Sequence, residues 1–240
     1  MKKFLVLSDV HANYPALQAI ETFVQRDRFH WVINAGDLVV YCTFPNETIE
    51  WFRKKRNTLC IVGNTDNRVL RILAGRPLDR PRREEKRVMY YWTCETLLPG
   101  NARYLQSLPG QRDFTIDGIR IGVSHGTSDD EEETLSPDVP KSRFRELARN
   151  SLCQVQIMGH SHAPFHKIVD EVHFLNPGSA GRMFDGDPRA SFAILSIHSG
   201  KISVEHFRIP YPVEQVTESM KRNRLPDIYR KMYETGTKLN

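Results

Sequence analysis

Through its first 75 residues the chain alternates short apolar runs with helix-patterned stretches, and this alternation restricts the fold more than any other feature. Phe4–Ser8, Trp31–Gly36 and Leu59–Gly63 are rich in Ile, Val, Leu and Phe and read as buried strands. Between the first two, a helix near 14–27 places Leu17, Ile20, Phe23 and Val24 on one face, with Asn13 as cap and Pro15 just inside. Pro45 opens a second helix near 45–56. Strands that alternate with helices predict parallel βαβ units.

Each run also stops at a residue able to hold a metal ion. Phe4–Ser8 meets Asp9 and then His11, Trp31–Gly36 meets Asp37, and Leu59–Gly63 meets Asn64. Two later runs behave alike: Ile119–Ser124 meets His125, and Val155–Gly159 meets His160 and His162. Open α/β sheets bind ligands outside the carboxyl ends of their strands. Asp9 and His11 stand two apart, as do His160 and His162, so each pair projects to one side of an extended loop. Imidazole with carboxylate or amide oxygen suits Mn, Fe, Zn, Co or Ni. Seven donors exceed the needs of one tetrahedral ion and fit two ions sharing a carboxylate. A structural histidine explains any one of these positions but not the set. His30, His166, His173, His198 and His206 lack that context and are left as structural.

Composition sets outer limits. A chain of 240 residues buries roughly three quarters of its unfolded surface and needs no staples, and one domain over 1–240 is expected. The apolar runs fall far short of the ~20 residues that span a bilayer, and Met1–Ser8 reads as a first strand, not a secretion signal. Cys42, Cys60, Cys94 and Cys153 show no CxxC pairing, which favours a reducing cytoplasm over a disulfide framework or zinc knuckle. A net charge of +5 suits an anionic substrate and is too small and too evenly spread for nucleic acid. Homo-oligomerisation stays open.

Residues 76–87 (RPLDRPRREEKR) carry six basic and three acidic side chains. They read first as a solvated surface connection and, alternatively, as a basic rim attracting a phosphate-bearing substrate. Asp129–Glu133 reads first as a solvated acidic loop and alternatively as a lid or electrostatic gate. Helices are expected near 89–98, 101–107 and 141–150, and a hairpin turns at Asp117-Gly118. After His162 the chain looks antiparallel, with strands at 165–169, 172–175, 190–197 and 201–208, then one or two helices over 212–235. Asn176–Ser179 reads as a tight turn beside the site, with backbone contact to substrate as the alternative.

Taken in order, Asp9-Val10-His11, Gly36-Asp37, Gly63-Asn64, His125-Gly126 and Gly159-His160-Ser161-His162 resemble the motif set of the calcineurin-like metallophosphoesterases. Phe44–Glu47, Asn176–Ser179 and Gly186–Ser191 extend the resemblance across residues 1–208 to a bacterial and archaeal subgroup, some described as diadenosine tetraphosphatase-like. It implies an α/β fold of two mixed sheets packed face to face with helices on the outer faces, a four-layer sandwich. It implies two divalent metal ions, manganese foremost, with Fe, Ni, Co or Zn as alternatives. Asp9, His11 and His162 would hold the first ion, and Asn64, His125 and His160 the second, with Asp37 bridging. Asn64, His125 and Asp37 would serve catalysis, while Asp66 itself reads as a group fixing the Asn64 loop or, alternatively, as a plain helix N-terminal acid. A hydroxide shared by the ions would attack phosphorus in line, since metal binding lowers the pKa of water from 15.7 to about 7.

The implied substrate is a small phosphate ester or nucleotide carrying a phosphodiester or phosphoanhydride bond. Dinucleoside polyphosphates are the alternative, and a metal-binding scaffold, like the retromer subunit that shares this fold, is the alternative of another class. Thr65 stands where most of the family has a histidine that assists the leaving group, so a factor on the order of 10²–10⁴ in rate is expected to be missing. The substrate should therefore release a group that departs without a proton. Ala12 in place of Gly and Ser161 in place of Thr are milder departures.

Overall fold

A computed structural model describes all 240 residues. The first half of the chain runs β1 (Lys2–Leu7), α1 (Tyr14–Phe23), β2 (Trp31–Asn34), α2 (Pro45–Lys54), β3 (Thr58–Cys60), α3 (Asn64–Leu73), α4 (Glu84–Thr96) and α5 (Pro99–Ser107). Next come β4 (Gln111–Ile116), β5 (Ile119–Ser124), α6 (Lys141–Asn150), β6 (Val155–Ile157), β7 (Phe165–Val169) and β8 (Val172–Asn176). The chain closes with β9 (Ala190–His198), β10 (Lys201–Ile209), α7 (Val213–Arg222) and α8 (Asp227–Thr235). Two mixed sheets form, in the orders β10-β9-β1-β2-β3 and β4-β5-β6-β8-β7. The βαβ prediction holds, because β1 pairs in parallel with β2, and β2 with β3.

The strand pleat divides each apolar run between two cores. Phe4 and Val6 face the second sheet and pack with Ile121, Val123, Val155, Ile157 and Leu175, whereas Leu5 and Leu7 face the helices. Ile33 against Val32, and Leu195 against Ile194, repeat the division. Strands buried on both faces are continuous hydrophobic runs for this reason. Leu17 and Ile20 of α1, Phe52 of α2, Tyr90 of α4, Val216 of α7 and Tyr229 of α8 cover the first sheet. Phe144 and Leu147 of α6 cover the second against Phe165 and Phe174. The result is the expected four layers, and the C-terminal helices share the large core rather than trailing from it.

Three local readings need correction. Helix α3 was anticipated only through the alternative reading of Asp66 as a helix N-terminal acid, because its apolar residues gather late (Val69, Leu70, Ile72, Leu73) and its start lies inside the Gly63-Asn64 motif. Its first turn is closed by Asp66, whose carboxylate accepts the Gly63 N–H at 3.0 Å. Helix α4 begins at Glu84, inside the segment read as a connection, with Glu84 and Glu85 favourably placed in its first turn. Helix α1 ends at Phe23 rather than near 27. At its start Asn13 Oδ1 accepts the Ala16 N–H at 3.2 Å, as the cap reading required.

Candidate metal centre

Parallel pairing of β1, β2 and β3 puts their carboxyl ends on one edge, and the loops leaving that edge carry Asp9, His11, Asp37 and Asn64. The parallel pair β5 and β6 delivers His125, His160 and His162 to the same place from the second sheet. Five of these seven residues adopt left-handed backbone conformations: Asp9, His11, Asp37, His160 and His162, with φ between 50° and 63°. Each costs a non-glycine residue on the order of 1 kcal/mol or more, so the surrounding structure must over-determine them. Two glycines show how tight the loops are. A Cβ on Gly36, itself at φ +95°, would stand 2.6 Å from His125 Nδ1, and one on Gly63 would overlap the Asp37 carboxylate.

Two buried trios of side chains converge: Asp9, His11 and His162, and Asp9, Asp37 and His125. His11 Nε2 lies 3.2 Å from His162 Nε2, and His125 Nε2 lies 3.2 Å from His160 Nδ1. Asp37 Oδ2 is 3.4 Å from His125 Nε2 and 3.8 Å from His11 Nε2, so one oxygen faces a histidine of each trio. Atoms bound to a common ion at about 2.1 Å must stand roughly 3.0–3.4 Å apart, which is the spacing of the closest pairs.

The proton positions sharpen the case. His11 Nδ1 meets the Val39 carbonyl at 3.4 Å, His125 Nδ1 meets that of Ala35 at 2.8 Å, and His162 Nδ1 meets that of Arg182. A carbonyl only accepts, so each Nδ1 is the donor, and each ring, when neutral, turns its Nε2 lone pair inward. Metal-binding histidines are oriented in this way. Asp9 Oδ1, 3.3 Å from His162 Nε2, is fully buried without a hydrogen-bond partner. A cation would satisfy that orphaned oxygen and separate the facing lone pairs, so the residues fit divalent ions.

Electrostatics follow the same division. Burial pushes the Asp9 carboxyl up, but His162 and His125 outweigh it and hold it down at about 2. Burial likewise opposes Asp37, yet His125, His11 and the Thr65 N–H keep it well below the usual carboxylate range. Burial drives His11 down to about 3 despite Asp37, which leaves a neutral ligand. At His125 burial loses to the Asp37 carboxylate, and the ring is raised to about 10.

Further residues hold these loops in register. Asp66 accepts the N–H groups of Gly63, Leu38 and Val39 at 3.0–3.1 Å and so ties the Asp37 loop to the Asn64 turn. Burial, with Asp37 nearby, raises its carboxyl to about 7 against those three donors. Asn176 Nδ2 donates to the Gly159 carbonyl at 2.7 Å, and Ser179 Oγ donates to that of Asp9 at 2.7 Å. The Asn176–Ser179 turn thus braces both pairs of ligands. Thr65 turns its hydroxyl onto the Val39 carbonyl at 3.3 Å, while its N–H donates to Asp37 Oδ1 at 2.9 Å.

The acidic run is not a free solvated loop. Glu132 accepts from Asn64 Nδ2 at 3.1 Å and from Arg68 at 2.6 Å, Glu131 accepts from Asn67 at 3.1 Å, and Glu133 pairs with Arg143 at 2.7 Å. Sequence reasoning missed Arg68, Tyr41 and Arg182 near the site. Arg68 had a readable signal, one turn after Asn64 on α3, whereas Arg182 arrives on a loop that nothing local marks. His166 and His173 stack on each other away from the cluster, consistent with a structural role.

Comparison with known proteins gives this geometry a lineage. Residues 2–200 match the calcineurin-like phosphoesterase superfamily domain, and the chain belongs to that family. It is similar to an uncharacterized protein of Methanocaldococcus jannaschii, 30% identical over 92% of this chain and 93% of the relative. A probable metallophosphoesterase of Methanothermobacter thermautotrophicus is 32% identical over 50% of this chain and 68% of its own length. A crystal structure of a metallophosphoesterase from Sphaerobacter thermophilus superposes with a TM-score of 0.80 at 26% identity, covering 98% of this chain and 99% of that one. Membership implies hydrolase activity on phosphoesters.

Proposed function

We propose that the chain is a binuclear metallohydrolase cleaving phosphodiester or phosphoanhydride bonds of small phosphate esters or nucleotides. The observation that carries this reading is the Asp37 carboxylate oxygen, which faces His11 on one side and His125 on the other. In this reading Asp9, His11 and His162 would hold one ion, Asn64, His125 and His160 would hold the other, and Asp37 would serve both. Divalent ions so held, manganese foremost, supply charge neutralisation for the phosphoryl oxygens and an activated water.

The protein's own groups do the rest. Val39, Ala35 and Arg182 carbonyls orient the imidazoles, Asp66 fixes the spacing of the two central loops, and Thr65 offers no proton to a departing oxygen. That last point favours leaving groups stable as anions, aryl oxides or nucleotide phosphates, over alkoxides. No helix is long and apolar enough to cross a membrane, and the four unpaired cysteines favour a cytoplasmic setting.

Metal analysis after growth with manganese, paired with hydrolysis of bis(p-nitrophenyl) phosphate, tests the proposal. About two ions per chain are expected, with activity lost to a chelator and restored by manganese. Two bound ions without hydrolysis of any aryl diester or P–O–P bond would leave the scaffold reading instead.

A further inference from the structure

Beside the metal centre, where the charged 76–87 segment folds back over α3 and α4, lies an open cavity of about 500 Å³. Arg68, Arg80, Arg82 and Lys86 line it together with Tyr41 and Tyr90, and no carboxylate belongs to the lining. Arg68 has a carboxylate partner in Glu132, but Arg80, Arg82 and Lys86 form no ion pair. Cations crowded into a concave surface without counter-charges focus a positive potential where an anion would sit.

A second feature points to the same place. Arg182 is only 6% exposed, its Nε lacks a hydrogen-bond partner, and its guanidinium meets Met232 Sδ, Asn240 Oδ1 and the rings of Tyr41, Phe184 and Tyr229 rather than a carboxylate. A buried charge without an opposite partner is costly to keep. Its guanidinium carbon lies 4.0 Å from the centre of the Tyr41 ring, directly behind the cavity wall. The cavity also adjoins the ligands. The Tyr41 ring centre is 5.2 Å from that of His11, and Arg68 follows Asn64 by one helical turn, with Glu132 touching both.

We propose that this cavity is a second anion subsite, taking an oligophosphate group of the substrate beyond the phosphorus held at the metal centre. The inference rests on the hydrolase reading above and narrows its substrate class to compounds with at least one further phosphate, such as dinucleoside polyphosphates. The cavity volume falls in the ordinary range for small-molecule sites of ~300–1,000 Å³, and its concave outline favours a compact oligophosphate over a nucleic-acid duplex. Burial, together with Arg182, Lys238, Arg83 and Arg68, lowers Lys86 to about 8, the direction expected of a cation group awaiting an anion.

The test compares diadenosine tetraphosphate with bis(p-nitrophenyl) phosphate in the manganese-loaded wild type and in the Arg80→Ala/Lys86→Ala variant. The ratio of kcat/KM between the two substrates should fall at least tenfold in the variant, through KM rather than kcat. The Arg80→Lys/Lys86→Arg variant should restore it. Calorimetric titration with tripolyphosphate supplies a readout independent of turnover, with binding at least tenfold weaker in the alanine variant. An unchanged substrate ratio with unchanged tripolyphosphate binding would overturn the subsite while leaving the hydrolase reading intact. Tripolyphosphate bound through Arg80 and Lys86 by a protein that hydrolyses neither compound would sustain the subsite and defeat the hydrolase reading.

Discussion

The metal centre and the basic cavity lie side by side but are built on opposite principles. Six of the centre's seven residues are buried, five are held at strained φ values, and side chains of Asp66, Asn176 and Ser179 brace their loops through backbone groups. The cavity's cations stand on a connection and a helix flank, Arg80 and Arg82 are exposed, and three of the four lack a partner. Rigid over-determination suits atoms that must stay within a few tenths of an ångström of an ion, whereas long cationic side chains suit a mobile, variable anion. Chemistry is expected to fail sharply when the first region is altered, and selectivity to drift when the second is.

The largest effect should come from Asp37→Asn, which removes the charge facing His11 and His125. Hydrolysis should fall on the order of 10³-fold, with fewer than two ions retained, by steady-state assay and metal analysis. Full activity in that variant would dissolve the contrast, because the centre would then not depend on its shared oxygen. Next, the wild type should cleave aryl diesters or P–O–P bonds at least about 10²-fold faster than an alkyl monoester, since Thr65 spends its hydroxyl on Val39. Equal rates on the two substrate types would show that another group supplies the proton.

Asp66→Asn leaves an amide against N–H donors of the two central loops. Manganese affinity should weaken roughly 10–100-fold by calorimetry, and the fold should lose about 1–3 kcal/mol by thermal melting. Loss of fold stability without loss of metal affinity would mean that Asp66 braces the loops but not the ligands. Smallest is a pH effect on the cavity. Lys86 is protonated below about 8 and neutral above it, so KM for diadenosine tetraphosphate should rise roughly fivefold as pH climbs from 7 to 9. The aryl diester should show no matching rise, and Lys86→Arg should flatten the trend.

Much of the centre was legible because a strand end is a local event. Apolar runs of five or six residues, each closing on Asp, Asn or His beside a small residue, declare both the sheet and its functional edge. The cavity was not legible in that way. The 76–87 segment shows charge density but not which side chains find counter-ions, and the closing of Arg143 on Glu133 or of Arg68 on Glu132 depends on partners 10 and 64 residues away. Helix α3 was legible only at Asp66 for a related reason, since its first turn is stabilised by one carboxylate shared with a loop 28 residues earlier.

By itself the sequence determined the alternation of strands and helices and the donor types waiting at five strand ends. Those features follow from side-chain period and local propensity, which act over a few residues. Only the tertiary structure decided that two sheets, the first assembled from both ends of the chain and the second from its middle, bring their ends to one edge, with Asp37 between His11 and His125. It also decided that Arg182, more than a hundred residues from Tyr41, lies behind the cavity wall with no carboxylate to neutralise it. Distance in space, burial and the balance of charge belong to the packed molecule, because each is a sum over neighbours that chain order does not specify.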